Sequence, residues 1–246
     1  MKKNTRRIIG WSLGGLAALL VIAVVGFVIW ASFPMRADAD RTAEVDADPA
    51  ISVTNDPEAI LLEPTGASNG QGLVFVPGAR VEAAAYEWTL QPLVDAGYTV
   101  VITHPALNFA ILEIRGLETY TALAPEVDDW AVGGHSLGGV RACQYAADEA
   151  DAVDALILFG SYCSADLSGA DLEVLSIGGG EDGLSTPAKI ADAAALLPAD
   201  ATFTEIAGMN HAQFGAYGEQ SGDGEATIPA EEAREAMTAE LLAFLG

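Results

Sequence analysis

Between Trp130 and Ala147 the chain passes from an apolar stretch, through Gly133-Gly134-His135-Ser136-Leu137-Gly138-Gly139, into a segment with helical spacing. A strand can turn straight into a helix only where side chains are missing from the crossing point, and Gly134 and Gly138 supply that clearance. Gly134-His135-Ser136-Leu137-Gly138 matches the G-x-S-x-G pattern that sets a serine on a strained strand-to-helix turn, a nucleophile elbow. Such a turn needs a buried sheet behind it, so it constrains the fold more than any other stretch. The helix leaving it aims free N–H groups and its positive dipole end at the hydroxyl, where an acyl transition state develops negative charge. Small residues around a serine also occur in ordinary Gly-rich turns, so the pentapeptide needs support from the rest of the chain.

The support is an alternation of strands and helices. Residues 59–62, 72–76, 98–103, 130–133, 153–159, 172–177 and 202–206 read as strands, several of them continuously apolar as in parallel sheets. Residues 82–96, 137–147, 187–197 and 229–245 carry helical spacing, and residues 107–126 are ambiguous, broken by Gly116 and Pro125. The pattern predicts an α/β fold, a mostly parallel sheet with helices on both faces and active groups at the carboxyl ends of its strands. No repeat or second globular domain is visible. Only residues 160–171 separate two of the strands, too few for a helical lid, so an open, shallow pocket is expected.

The N-terminus stands apart. Lys2, Lys3, Arg6 and Arg7 precede an uncharged apolar run over residues 8–30, which is 23 residues long. The apolar region of a signal peptide has about 7 to 15 residues and a spanning helix needs about 20. The run therefore predicts a transmembrane anchor over residues 8–31, with residues 1–7 as a cytoplasmic basic stub and the rest outside the cytoplasm. Ala37-Asp38-Ala39 imitates a cleavage site but lies far past the apolar end. Residues 32–57 are rich in Ala, Asp and Thr without a periodic apolar face; they read as an acidic flexible spacer, leaving 58–246 for the folded domain.

All 35 acidic residues follow residue 31, against seven basic ones, giving that part a formal charge of −28. Such a surface repels nucleic acid and anionic headgroups, so no nucleic-acid partner is expected; it reads as a solvated coat that keeps the domain soluble. Two cysteines remain. Cys143 falls two turns into the helix after Ser136 and Cys163 in the loop after the next strand, so a disulfide between them beside the serine is expected in an external compartment. The other reading is two buried thiols packed as small hydrophobes.

A serine hydroxyl needs a histidine to take its proton and a carboxylate to hold the imidazole. Of three histidines, His135 neighbours Ser136 and should point away from it. His104, at a strand end, is a candidate for lining the pocket. His211 lies in the loop after the last strand and is the expected base. Asp182 follows a strand in a Gly-rich loop upstream of His211 and is the expected acid, with Glu181 and Asp166 as rivals. A carboxylate at 182 would otherwise serve as a helix cap, a task for which Ser185 and Thr186 are better placed. The oxyanion would be held by the N–H of Leu137 and by one from Pro77-Gly78-Ala79-Arg80, with Ala79 favoured because proline has no N–H. Gly78 and Arg80 are further candidates for the pocket wall, Arg80 either steering anionic substrates or serving as a surface arginine. No metal cluster or phosphate-binding loop is present in the sequence, and no cofactor is expected.

Taken together, Pro77-Gly78-Ala79-Arg80-Val81-Glu82, Gly134-His135-Ser136-Leu137-Gly138-Gly139, Asp182-Gly183 and Asn210-His211-Ala212-Gln213-Phe214-Gly215 resemble the compact, lidless α/β-hydrolases related to dienelactone hydrolases and small serine carboxylesterases. The resemblance runs from about Leu61 to the C-terminus and implies an α/β-hydrolase fold with Ser136, Asp182 and His211 in the order acid-after-serine, histidine last. Members have a second glycine where Ala79 stands, and dienelactone hydrolases carry cysteine where this chain has serine. The resemblance thus implies a carboxylesterase acting on small or exposed esters. A thioesterase or peptidase with the same three residues, or a silent binding domain on the same fold, are the alternatives.

Overall fold

The protein is seen in a computed structural model that describes the backbone of residues 2–246 and the side chains of Leu13 and residues 15–246. Two units are present, Met1–Pro34 and Met35–Gly246.

The first unit holds one helix, α1 (Lys2–Ala31), whose described side chains before Ala31, Leu16, Leu19, Ile22 and Ile29 among them, are exposed. The anchor expected over residues 8–31 falls on it. Among the described residues no helix is long and apolar enough to cross a membrane, and the side chains of residues 8–12 and 14 of that run lie outside them.

The second unit begins earlier than the sequence suggested. Met35 N–H donates to Arg80 O over 2.6 Å, and Glu82 N–H donates to Met35 O over 3.0 Å. Asp38 then caps α2 (Ala39–Asp46), its carboxylate accepting from the N–H groups of Asp40 and Arg41. Residues from Ile51 pair as a strand, β1 (Ile51–Asn55). The flexible spacer expected over residues 32–57 is therefore corrected from Met35 onward. The signal was weak because α2 buries a single side chain, Val45, so no apolar stripe marks it.

The chain continues through β2 (Ala59–Pro64), β3 (Gln71–Val76), α3 (Glu87–Asp95), β4 (Thr99–Thr103), α4 (Glu118–Thr121), β5 (Asp129–His135), α5 (Leu137–Asp148), β6 (Ala155–Phe159), β7 (Glu173–Gly179), α6 (Pro187–Ala193), β8 (Thr202–Ile206) and α7 (Ala230–Leu245). The strands form one sheet in the order β1-β2-β4-β3-β5-β6-β7-β8, antiparallel from β1 to β4 and parallel thereafter. The ambiguous residues 107–126 resolve into 3-10 turns at Ala106–Asn108 and Ala110–Leu112 followed by α4.

Alternate side chains of each strand enter opposite cores, as the period of two requires. Leu73, Phe75, Val100, Ile102, Ile157 and Phe159 pack on one face with residues of α3 and α7. Val74, Val76, Val101, Leu156 and Leu158 pack on the other with Ala142, Cys143 and Tyr145 of α5. Both faces are covered, which is why the central strands read as unbroken apolar runs. The covered faces leave the carboxyl edge of the parallel strands as the place for loops and chemistry.

Candidate active site

Ser136 joins β5 to α5 with φ 53° and ψ −121°, a conformation that costs a non-glycine residue on the order of 1–3 kcal/mol. Two close approaches force it. A Cβ at Gly138 would lie 2.0 Å from Val76 O, and one at Gly134 would lie 2.4 Å from the Gly138 carbonyl carbon. The surroundings hold the turn: Ser136 N–H donates to Phe159 O over 2.9 Å, and Ser161 Oγ donates to Ser136 O over 2.6 Å. Cys143 and Cys163 are joined in a disulfide that fastens the Ser161 loop to α5. Among the described residues, the other non-glycines with positive φ are Arg80, Leu107 and Asn108, and Arg80 N–H donates to Asn108 O over 2.6 Å. Backbone strain thus gathers in the turns after β3, β4 and β5, the three central strands that end at this edge.

His211 opens the turn after β8. Asn210 caps that turn, accepting from Gln213 N–H while Gln213 accepts from Asn210 N–H. His211 Nδ1–H donates to Asp182 Oδ2 over 2.7 Å, with both side chains fully buried. The second carboxylate oxygen, Oδ1, accepts from Leu184 N–H at 2.8 Å and Ser185 N–H at 2.6 Å. Commitment of Nδ1 leaves the lone pair of His211 on Nε2, which is buried and has no hydrogen-bond partner. Of the rival acids, Glu181 is exposed, and Asp166 is exposed and accepts from its neighbour Ser168. Thr186 caps α6, so that task does not fall to Asp182.

A buried relay that sequence reasoning missed runs beneath the elbow. Gly78 N–H donates to Tyr86 Oη over 2.9 Å, so the phenol proton is free to go to His135 Nδ1, also at 2.9 Å. Burial raises the Tyr86 phenol far above its ordinary range, which keeps that proton in place. Burial, and next the His211 ring, push His135 well below the usual histidine range, against a smaller upward pull from the His211 backbone. The His135 ring is centred 4.3 Å from that of His211. His135 is fully buried and forms the neutral floor on which the His211 ring rests.

The relay also decides which N–H groups remain. Pro77 has none, that of Gly78 is taken by Tyr86, and that of Arg80 by Asn108. Among the described residues, Ala79 N–H and Leu137 N–H meet no backbone or side-chain acceptor. Arg80 is half-buried rather than an exposed surface arginine, since its backbone accepts from Met35 and donates to Asn108. His104 is not brought to this group. Its imidazole faces the backbone of Asp56 and Pro57, and burial lowers it from the usual histidine range against those contacts.

Asp223 was also missed. Its carboxylate takes N–H groups from Gly183, His211, Ala212 and Gly224. The sequence signal was a Gly-Asp-Gly turn at 222–224, inside a segment without periodicity. Among the described residues, Ser136 lines none of four concavities of about 300 to 340 Å³, one of which is walled in part by Asn210, Ala212 and Gln213 of the His211 turn. The serine stands half-buried at the carboxyl edge of the sheet.

A mostly parallel sheet with a serine on a strand-to-helix elbow, and an acid and a histidine in the loops after its last two strands, defines an α/β-hydrolase fold. The chain belongs to the alpha/beta hydrolase family, whose model matches residues 72–235. Among solved structures it is similar to the esterase domain of a Rhodothermus marinus protein, at 14% identity and TM-score 0.58 over 80% of this chain and 100% of that one. A thermophilic esterase from Thermogutta terrifontis matches at 15% identity and TM-score 0.55, covering 79% and 96%. A dienelactone hydrolase from Anabaena variabilis matches at 16% identity and TM-score 0.53, again covering 79% and 96%. At these identities the likeness establishes the fold. No curated protein matches the sequence.

Proposed function

We propose that this protein is a serine hydrolase that cleaves carboxylic esters, with Ser136 as nucleophile, His211 as base and Asp182 as the acid that holds it. The observation that carries the reading is the fully buried Asp182–His211 hydrogen bond of 2.7 Å, with Nε2 left unpartnered in the same edge as the strained Ser136. Ser136 Oγ attacks the ester carbonyl carbon as its proton passes to His211 Nε2, and the Asp182 carboxylate stabilises the imidazolium. The N–H groups of Leu137 and Ala79 receive the oxyanion. The tetrahedral species then expels the alcohol, which takes the proton from His211. Water attacks the acyl-serine by the same route and returns the proton to Ser136. Esterase folds among the similar structures support this chemistry.

The half-buried serine and the short connection between β6 and β7, which leaves no room for a helical lid, support small or surface-presented esters as substrates. No nucleic acid would be handled, because the acidic surface repels it. We further propose that residues 8–31 anchor the chain in a membrane with the hydrolase unit outside the cytoplasm, a reading supported by the basic residues before the apolar run and by the disulfide.

The test is hydrolysis of p-nitrophenyl acetate, butyrate and octanoate by the full chain in detergent, beside Ser136→Ala. The expected result is a loss of about 1,000-fold or more in the variant and a rate that declines with acyl length. Equal rates in both proteins would remove Ser136 from the reaction.

A further inference from the structure

Asp223 lies 12 residues beyond His211, in the loop that leads to α7, and its carboxylate is a hub for backbone N–H groups from three segments. Oδ1 accepts from Gly183 at 3.1 Å, from His211 at 3.1 Å and from Gly224 at 2.7 Å, while Oδ2 accepts from Ala212 at 2.8 Å. Gly183 directly follows Asp182. One carboxylate therefore grips both loops whose side chains meet in the Asp182–His211 hydrogen bond.

The grip is tight because the backbones themselves touch. A Cβ at Gly224 would lie 1.8 Å from Glu181 O, and one at Gly183 would lie 2.6 Å from Gly224 N. The loop carrying Asp223 is in turn pinned to the His211 loop from both sides: Asn210 Nδ2 donates to Gly224 O over 2.9 Å, and Thr227 N–H donates to Gly208 O over 2.8 Å. A charged acceptor holds backbone donors more strongly than a neutral one, and its two oxygens fix the spacing between the donors they share.

We infer that Asp223 is a positioning residue: it sets the separation of the Asp182 and His211 loops, and through it the geometry of the hydrogen bond between them. Asp223 touches the backbone on both sides of that bond and no reacting atom. This rests on the hydrolase reading above for its effect on rate, but its effect on the Asp182–His211 bond stands without that reading. Replacement by Asn removes the charge and turns an NH2 group toward one of the four donors; replacement by Ala removes every acceptor.

The experiment compares the full chain in detergent with Asp223→Asn, Asp223→Ala and Glu225→Ala, the last an exposed carboxylate two residues away. Two readouts are taken: kcat and KM for p-nitrophenyl acetate, and the low-field proton resonance of His211 Nδ1–H. The expected result is a fall in kcat of about 10- to 100-fold in Asp223→Ala, smaller in Asp223→Asn, with KM within about threefold. The resonance should shift or vanish in the same order, and Glu225→Ala should match the parent in both. A folded Asp223→Asn or Asp223→Ala with the parental resonance and kcat would overturn the inference, as would a loss of kcat that only tracks the fraction unfolded. If the parent shows the resonance but no hydrolysis dependent on Ser136, the functional reading fails, and the resonance alone decides the role of Asp223.

Discussion

At the scale of single residues, the molecule sets two buried ionisable groups against each other. His135 is held well below its ordinary range by burial and by His211, so the unfolded chain binds a proton there that the folded chain refuses. Stability from this source is complete above about pH 6.5 and is lost as pH falls below it. Glu87 has the opposite sign. Burial first, and Asp46 second, raise its carboxyl to about 7, so the folded state gains stability as pH falls from that value toward the unfolded value of 4.5. The parental pH slope is therefore a difference, and a variant isolates one part. His135→Gln keeps an acceptor for Tyr86 and cannot titrate. Its stability relative to the parent, measured by denaturant unfolding, is expected to improve as pH falls from 7 to 5, by at most about 1.4 kcal/mol per pH unit. A constant difference across that range would mean that His135 is protonated as easily folded as unfolded. Ser136 and His211 stood out in the sequence because few candidates compete with them, a serine framed by Gly134 and Gly138 and one of three histidines, whereas Asp182 had Glu181 and Asp166 as rivals that no local pattern separates. Tyr86, Ser161 and Asp223 were not, since each acts through a contact between segments that no local pattern records.

At the scale of elements, the strands and helices followed the apolar periodicity closely where an element buries a whole stripe or both faces. Periodicity failed at α2, which buries one side chain, and stayed ambiguous over residues 107–126, where short 3-10 turns precede the four-residue α4. The link between α5 and the loop after β6 is covalent. Cys143 and Cys163 are 20 positions apart, and closing a loop of that size in the unfolded chain is worth about 3 kcal/mol. The double substitution Cys143→Ala, Cys163→Ala is expected to lower Tm by roughly 6–12 °C in thermal unfolding. Treatment of the parent with a strong reductant should do the same, and an unchanged Tm in both would show that packing alone holds the loop. Ser161 lies two residues before Cys163, so loosening the loop also loosens the hydrogen bond to the Ser136 carbonyl.

At the scale of the whole molecule, the acidic residues all lie beyond the apolar run and the hydrolase unit starts at Met35. The proposed anchoring has a direct consequence. In cells, the full chain is expected to stay with membranes through an alkaline carbonate wash, and protease added from outside should degrade the hydrolase unit. Release by carbonate, or protection of the unit in sealed cells, would overturn the anchoring and leave the hydrolase reading untouched.

The sequence by itself determined the layered fold, because the apolar periods of its strands and helices can be satisfied only by a sheet covered on both faces. It also determined the elbow, because glycine alone fits where Gly138 meets Val76 O. Only the tertiary structure decided which acid meets His211, which N–H groups remain free at the Gly78 turn, and how Asp223 joins the two loops. These depend on distances between segments far apart in the chain, and local pattern carries no information about which of several eligible partners will arrive at a given donor.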